Sequence, residues 1–410
     1  MGFVTNKWQP TSSGPAPVVP VRYGVKFVPT GLTSDTALTY VFDAVGMTSA
    51  TLSTSGFSWG SWENTLLGKS FYPAVTTDRN LVTSIDYKLD PNDYTKKTDG
   101  TASNITSPSG NVVSVFEGGW ISIYNQTDNG TTYTYVVWSN VQYDSSYVAF
   151  HRLQAGNVLH KGFTVGCYLG SNNSLTATRS LSGSSIYNYT NNPSTNINTN
   201  NSTVMTYYQL QYIHYLSMIM FRTIDIHDFS YRSGAQGSQN TNGLFHITVN
   251  QNNQNDVKIF GIENLCMYSY KTLIKGLGAR MPKITSSATS AQTVAIIYDY
   301  STNAWVDMLS ISTVKSTLNN YFTNAYNQTF SKNAPGYTYT SITPSTYGLI
   351  PNSFTRTTNS NNELGFQHQL LPSTSAVSYF YASGFYKFTF ISTLMYSSYS
   401  NYLRYASFID

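Results

Sequence analysis

The 410-residue sequence predicts an α+β chain, with a β-rich N-terminal half followed by a half that mixes helices and strands. Three observations carry this. Between Arg22 and Leu169, runs of β-branched and aromatic residues are short and broken by turn clusters. A polar tract then interrupts the pattern at 171–203. Beyond it, apolar residues recur every three or four positions, the spacing of a helix face.

Taken in order, residues 1–20 hold Pro10, Pro15, Pro17 and Pro20, which helix interiors and central strands reject. An extended arm is expected, either docked on a neighbouring subunit or left as a plain terminus. Strands follow at Val21–Phe27, Ala37–Phe42, Leu81–Tyr87, Val112–Phe116, Trp120–Tyr124 and Thr132–Trp138. Turn chemistry at 90–93, 108–110 and 128–130 separates them. These strands define a domain over 21–170. The tract at 171–203 cannot bury enough apolar surface to fold alone and reads as a linker or an exposed loop. No repeat of fixed period occurs, so a β-helical shaft is not expected.

The second domain spans 204–410. Its first helix is expected at 204–221, with Thr203 as N-cap and Tyr208, Tyr212, Tyr215 and Ile219 on one stripe. That stripe reads as packing. Further helices are expected within 263–276 and 306–326, and strands at Ala295–Tyr300 and Phe385–Ile391.

Charged residues make up only 10% of the chain, while tyrosine alone numbers 34. An ordinary soluble domain carries about 25% charge. Solubility therefore comes from hydroxyls and amides, and tyrosine with serine and asparagine is the composition of recognition surfaces. The net charge is +4 and no basic run exceeds Lys96-Lys97, so nucleic acid is not an expected partner. No charged-then-apolar leader and no stretch of membrane-spanning length is present, so neither export nor membrane insertion is expected. Cys167 and Cys266 are too few for a disulfide framework or a thiolate zinc site, which fits synthesis in a reducing compartment.

Catalytic chemistry finds little support. His151, His160, His214, His227, His246 and His368 show no metal-site spacing, and no phosphate loop or nucleophile elbow appears. No metal, cofactor or catalytic residue is assigned. Paired carboxylates for glycoside cleavage would come from Glu117, Asp225, Asp228 and Glu263, which have aromatic neighbours. The bland reading, turn and helix-start acceptors, is preferred for them.

Several segments carry a resemblance. RYGVKF at 22–27, ALTYVFDAVGM at 37–47, SIDYKLDPNDYTKKTDGTAS at 84–103, SGNVVSVFEGGWISIY at 109–124 and KGFTVGCYLGSNNSLTATRSLSGSSI at 161–186 resemble a group of phage structural proteins found around tail-fibre and host-recognition genes. So do YYQLQYIHYLSMIMFRTIDIHDFSYRSGA at 207–235, FGIENLCMYSYKTLIKGLGARMP at 260–282 and the closing segment at 378–410. The group's usual Gly-Asn-x-Trp-x-Trp stretch is replaced here by Cys266 to Tyr270.

The resemblance implies a C-type-lectin-like α+β second half, of the variety shared with formylglycine-generating enzymes and phage tropism determinants. The enzymes' oxidising cysteine pair is not matched by Cys167 and Cys266, so their activity is not implied. What is implied is a bacteriophage virion protein, fibre-type or receptor-binding, assembled in the host cytoplasm as a homotrimer. Its arm would contact other virion proteins and its face a host surface glycan or protein. Tyr396, Tyr399, Asn401, Tyr402, Arg404 and Tyr405 are the expected contact residues, because surface Tyr, Asn and Arg make anchor contacts. Burial in a trimer interface is the alternative for them. An architectural head-fibre, collar or decoration role is the second reading, and a capsule-degrading enzyme the third.

Overall fold

The computed structural model describes residues 18–32, 36–172, 174, 176–185, 187, 201–224, 241–249, 255–263, 265, 271–280, 290–314, 327–329, 336–345, 347–357, 367–369, 378–382 and 401–410. Strands dominate it, and one α-helix, α1 (Tyr207–Phe221), occurs among the described residues. The expected α+β class is therefore corrected to all-β, and the C-type-lectin-like second half falls with it.

Arg22–Phe27, Thr39–Phe42, Trp120–Asp128 and Thr131–Ser139 form an antiparallel sheet with the two longest strands adjacent. Asn129 and Gly130 join those two with φ of 49° and 81°, the backbone of a two-residue type I′ hairpin. Alternation turns Val25, Phe27, Ile121, Val136 and Trp138 into the core.

A second sheet has six strands, in the order 82–83, 406–409, 162–166, 112–117, 71–76, 85–88. The single strand expected at 81–87 is thus two strands on opposite edges, so the sheet curls until those edges meet at Ser84. Ala406–Ile409 runs antiparallel to Gly162–Gly166 and parallel to Val82–Thr83. A boundary between 170 and 204 is therefore crossed by the chain's own last strand.

The polar tract at 171–203 is packed in part, with Thr176, Gly183, Ser185, Tyr187 and Asn201 exposed among its described residues. Thr178 and Ser180 are fully buried, and Asn111 donates to the Thr178 carbonyl (3.0 Å) and accepts from the Ser180 amide (2.7 Å). Amide hydrogen bonds do there what apolar burial does elsewhere.

Helix α1 starts three residues later than expected. Thr206 caps it, accepting from the Gln209 amide (3.2 Å), while Gln209 Oε1 accepts from the Thr206 amide (2.8 Å), a complete capping box. Arg222 ends it in the left-handed region at φ 54°. All 15 residues are buried, so the helix is wrapped on every side rather than along one stripe. Tyr212 packs edge-on against Phe116 and Phe163 of the curled sheet, and its hydroxyl accepts from Trp138 Nε1 of the other (2.9 Å). Each fully buried Leu, Ile, Met or Phe on α1 adds about 1.5–3 kcal/mol.

Where they are described, strands stand in place of the other two expected helices, with 264 and 266–270 of the first outside the described residues. Ile262–Glu263 and Lys271–Arg280 occupy the first, and Ala304–Val314 occupies the start of the second, with 315–326 outside the described residues. In Lys271–Arg280, Gly276 sits at φ 79°, which a helix cannot contain. In Ala304–Val314, β-branched Val306, Ile311, Thr313 and Val314 favour a strand. A bulge opposite Ala295 and Ile296 breaks the alternation that marks strands and leaves an accidental helical spacing. Ser290–Asp299 covers the strand expected at Ala295–Tyr300 except for Tyr300, which lies in a turn, while Phe385–Ile391 lies outside the described residues.

Candidate functional site

A concavity among the described residues is built on α1. Tyr208, Gln211, Tyr212 and Tyr215 share one face of the helix by their spacing of three and four. Ile121 and Ile123 form one wall, joined to Val148 by a pair of backbone bonds between Ile121 and Val148 (2.9 Å each). A 3-10 turn, Phe150–Arg152, contributes Phe150 and His151, and Ser345, Tyr347 and Gly348 roof the cavity. Its volume is about 120 Å³, and it is partly open to solvent. An apolar cavity of about 150 Å³ holds one benzene ring, so this one is sized for a single ring.

Its side chains are held from behind. The His151 ring stacks on Tyr212 at 3.9 Å, and His151 Nε2 lies 3.2 Å from the Gly118 carbonyl. Burial first, then the Arg152 charge, pushes His151 down to about 3, so the imidazole is neutral near pH 7. Gly119, at φ 78°, gives Tyr212 its room, since a Cβ there would collide with the Tyr212 hydroxyl. Across the cavity the Leu349 amide donates to the Tyr215 hydroxyl (3.3 Å). Gly348, at φ 119°, permits that approach, because a Cβ would lie 2.5 Å from the same oxygen. Tyr347 donates to Asp299 Oδ2 (3.1 Å), and its ring centroid lies 6.4 Å from Phe150.

The Tyr208 hydroxyl is different: it is buried and has no hydrogen-bond partner. No carboxylate lines the cavity. Such a space offers aromatic faces to the carbon side of a ring and hydroxyl and amide groups to its polar edge, without charge.

The residues expected to make contacts are placed elsewhere. Tyr396 and Tyr399 lie outside the described residues. Asn401–Tyr402 is a short strand running parallel to the start of Lys271–Arg280. Arg404 and Tyr405 are fully buried. Arg404 donates through Nη1 to the Gly166 carbonyl (2.9 Å) and through Nη2 to the Glu263 carbonyl (2.6 Å). Tyr405 donates to the Asn80 carbonyl (3.3 Å). These two residues seat the last strand inside the molecule and do not stand on an exposed face of it.

Arg404 belongs to a buried ionic cluster that the sequence did not reveal. Lys258 and Glu263 are cross-strand partners, both buried, with Thr241 between them. The Thr241 carbonyl accepts from Lys258 Nζ (2.8 Å), while its amide (2.9 Å) and hydroxyl donate to Glu263 Oε1. Lys258 Nζ also lies over the rings of Tyr94 (4.2 Å) and Tyr168 (4.7 Å). Burial lowers the Lys258 ammonium, raises the Glu263 carboxyl and lowers Arg404 to about 10. The adjacent Cys167 thiol is pushed up to about 12 by burial, which leaves it unreactive; Cys266 lies outside the described residues.

Of the four acids considered for sugar cleavage, Asp225 and Asp228 are outside the described residues. Glu117 accepts from the Tyr72 hydroxyl (2.5 Å) and pairs with Gly162, whereas the Glu263 amide bonds to the Cys167 carbonyl, five positions further along. Five strand residues span roughly 16 Å. Carboxyl pairs that cleave glycosides stand about 5–9.5 Å apart, so these two do not face each other across a sugar. Among the described residues no three His, Cys, Asp or Glu side chains gather at a metal-binding distance, and no helix is long and apolar enough to cross a membrane.

The cavity residues were present in the sequence only as a helical tyrosine stripe, read there as core. That reading holds for Tyr212 and Tyr215, whose hydroxyls are engaged, but it gives Tyr208 no partner. No family model matches the chain, and searches of curated proteins and of solved structures returned no match.

Proposed function

We propose that the chain is a non-catalytic binding subunit of a bacteriophage particle, and that the α1 cavity takes one neutral ring of a host surface saccharide. The observation that carries this is the cavity's lining: Phe150, His151, Tyr208, Tyr212, Tyr215 and Tyr347 around about 120 Å³, with no carboxylate among the lining residues. Stacking rings and uncharged hydroxyls suit a sugar, and the unpartnered Tyr208 hydroxyl is a donor for a sugar oxygen. Placement on a virion and assembly as a trimer, with residues 1–20 docking on other virion proteins, rest on the resemblance to phage structural proteins.

The test is titration of the purified chain with host surface polysaccharide and its component sugars, followed by ligand-detected NMR. Saturation transfer to one sugar is expected, and it disappears in Val148→Trp, which adds bulk to a lining residue of the cavity. Transfer that persists in Val148→Trp, or no transfer from any host saccharide, removes the proposal. Capture of another virion protein in place of sugar would favour the architectural role, in which an apolar side chain of that protein fills the same cavity.

A further inference from the structure

Most polar groups that line the α1 cavity are engaged by the protein itself. The Ser146 hydroxyl donates to Asp144 Oδ1 (2.6 Å) and lies 2.8 Å from the Ser122 hydroxyl. The Ser345 hydroxyl accepts from the Tyr347 amide (3.2 Å), and the Tyr347 hydroxyl donates to Asp299. The Tyr212 and Tyr215 hydroxyls accept from Trp138 Nε1 and from the Leu349 amide. His151 Nε2 faces the Gly118 carbonyl.

Two lining groups are left over, one turn apart on the same face of α1. Tyr208 is 4% exposed, and its hydroxyl has no partner. Gln211 is 9% exposed, and no hydrogen bond engages its carboxamide. Its Oε1 points toward the roof, where a Cβ added to Gly348 would lie 3.7 Å away. A carboxamide and a hydroxyl withdrawn from water without partners are a net cost to the fold, which a Met and a Phe of similar shape would avoid. The wall formed by Ile121, Ile123 and Val148 adds no polar side chain.

A ligand matched to this lining brings one acceptor, one donor and an apolar end. A sugar carrying only hydroxyls does not: most of them would face aliphatic carbon or groups already engaged, and would give up water without replacement. An acetamido group has one carbonyl, one N–H and one methyl. It is smaller than benzene, so it enters a space of about 120 Å³ whole, while the sugar ring bearing it extends toward the solvent-open side. We propose, on the basis of the saccharide reading of this cavity, that it selects an N-acetylated amino sugar and takes the acetamido group as its deepest contact. Tyr208 donates to the acetamido carbonyl, Gln211 Oε1 accepts from its N–H, and its methyl lies against Ile121, Ile123 and Val148. The unacetylated amino sugar is a cation and finds no carboxylate in the lining, so it is rejected.

The experiment titrates the full chain with the methyl glycosides of N-acetylglucosamine and N-acetylgalactosamine, and with those of glucose, galactose and glucosamine, following saturation transfer from protein to ligand. One acetamido glycoside is expected to bind about tenfold tighter than its neutral parent, the gain of two hydrogen bonds, with the strongest transfer at its acetyl methyl. Gln211→Met and Tyr208→Phe are each expected to reduce that preference several-fold. Neither removes a hydrogen bond of the folded chain, so both are expected to fold, and either one alone suffices for the comparison. Equal affinity for acetamido and parent glycosides, transfer weakest at the acetyl methyl, or a preference unchanged in the folded variants overturns the acetamido assignment and leaves the saccharide reading standing. Transfer from host polysaccharide with none from the acetamido glycosides does the same. No transfer from any saccharide removes both.

Discussion

The cavity on α1 and the ionic cluster around Lys258 are both lined by aromatic side chains, yet they differ in charge. In the cluster, Lys258, Glu263 and Arg404 are sealed from water, and each reaches a backbone group of a distant segment. In the cavity, the lining is uncharged and the Tyr208 hydroxyl is left without a partner. A chain with so few charges has placed three of them where they fix topology and has kept charge off the lining of the α1 cavity. Charge is what separates the two, since the cluster too holds unpaired buried atoms, Glu263 Oε2, Arg404 Nε and the Tyr94 hydroxyl.

The comparison is broken most severely at Arg404. Replacing it with Met leaves the Gly166 and Glu263 carbonyls unpaired in a buried site and removes a positive neighbour of the Glu263 carboxyl. A destabilisation of about 3–5 kcal/mol is expected, read as a lower urea midpoint. Arg404→Lys is expected to rescue little, since one ammonium cannot reach both carbonyls as the guanidinium fork does. An unchanged midpoint in Arg404→Met would place the pinning elsewhere.

A smaller effect is expected from acid. His151 is held at about 3 against an ordinary 6.5, so between those values the unfolded chain takes up a proton that the folded chain refuses. Its contribution is complete above pH 6.5 and drains away as pH falls toward 3. Urea midpoints measured down this range are expected to decline, with a shallower slope in His151→Phe. Ligand affinity of the cavity is expected to stay flat between about pH 6 and 8, where the imidazole remains neutral.

The finest distinction is drawn by single hydroxyls. Tyr208→Phe is expected to leave stability within about 1 kcal/mol of the parent or to raise it slightly, because an unpaired buried hydroxyl is removed. The same change is expected to weaken saccharide binding. Tyr212→Phe is expected to do the reverse and cost about 1–3 kcal/mol by orphaning Trp138 Nε1. Equal stability losses in the two variants would show that Tyr208 is ordinary core.

What the sequence disclosed follows from how local each signal is. The hairpin at Asn129-Gly130 and the strands of the first sheet were legible because turn chemistry and alternation are written within a few residues. Helix α1 was legible from spacing, although not the burial of Gln209, His214 and Ser217 on its remaining sides. Arg404 misled because its partners are two carbonyls, 238 and 141 positions away, and backbone acceptors leave no trace in side-chain composition. The cavity was hidden for the same reason: its lining runs from Ile121 to Gly348, and no single stretch contains enough of it to be recognised.

The place of Ala406–Ile409 between Gly162–Gly166 and Val82–Thr83 also fixes an order of events during synthesis. Until those residues leave the ribosome, the curled sheet keeps an unfilled slot with two open strand edges facing it. Most of the chain must wait in a sticky, incomplete form, and its closing contact spans more than two hundred residues, which makes for slow folding. A chain cut short before Leu403 would stay in that state, and aggregation rather than loss of binding would be its first symptom.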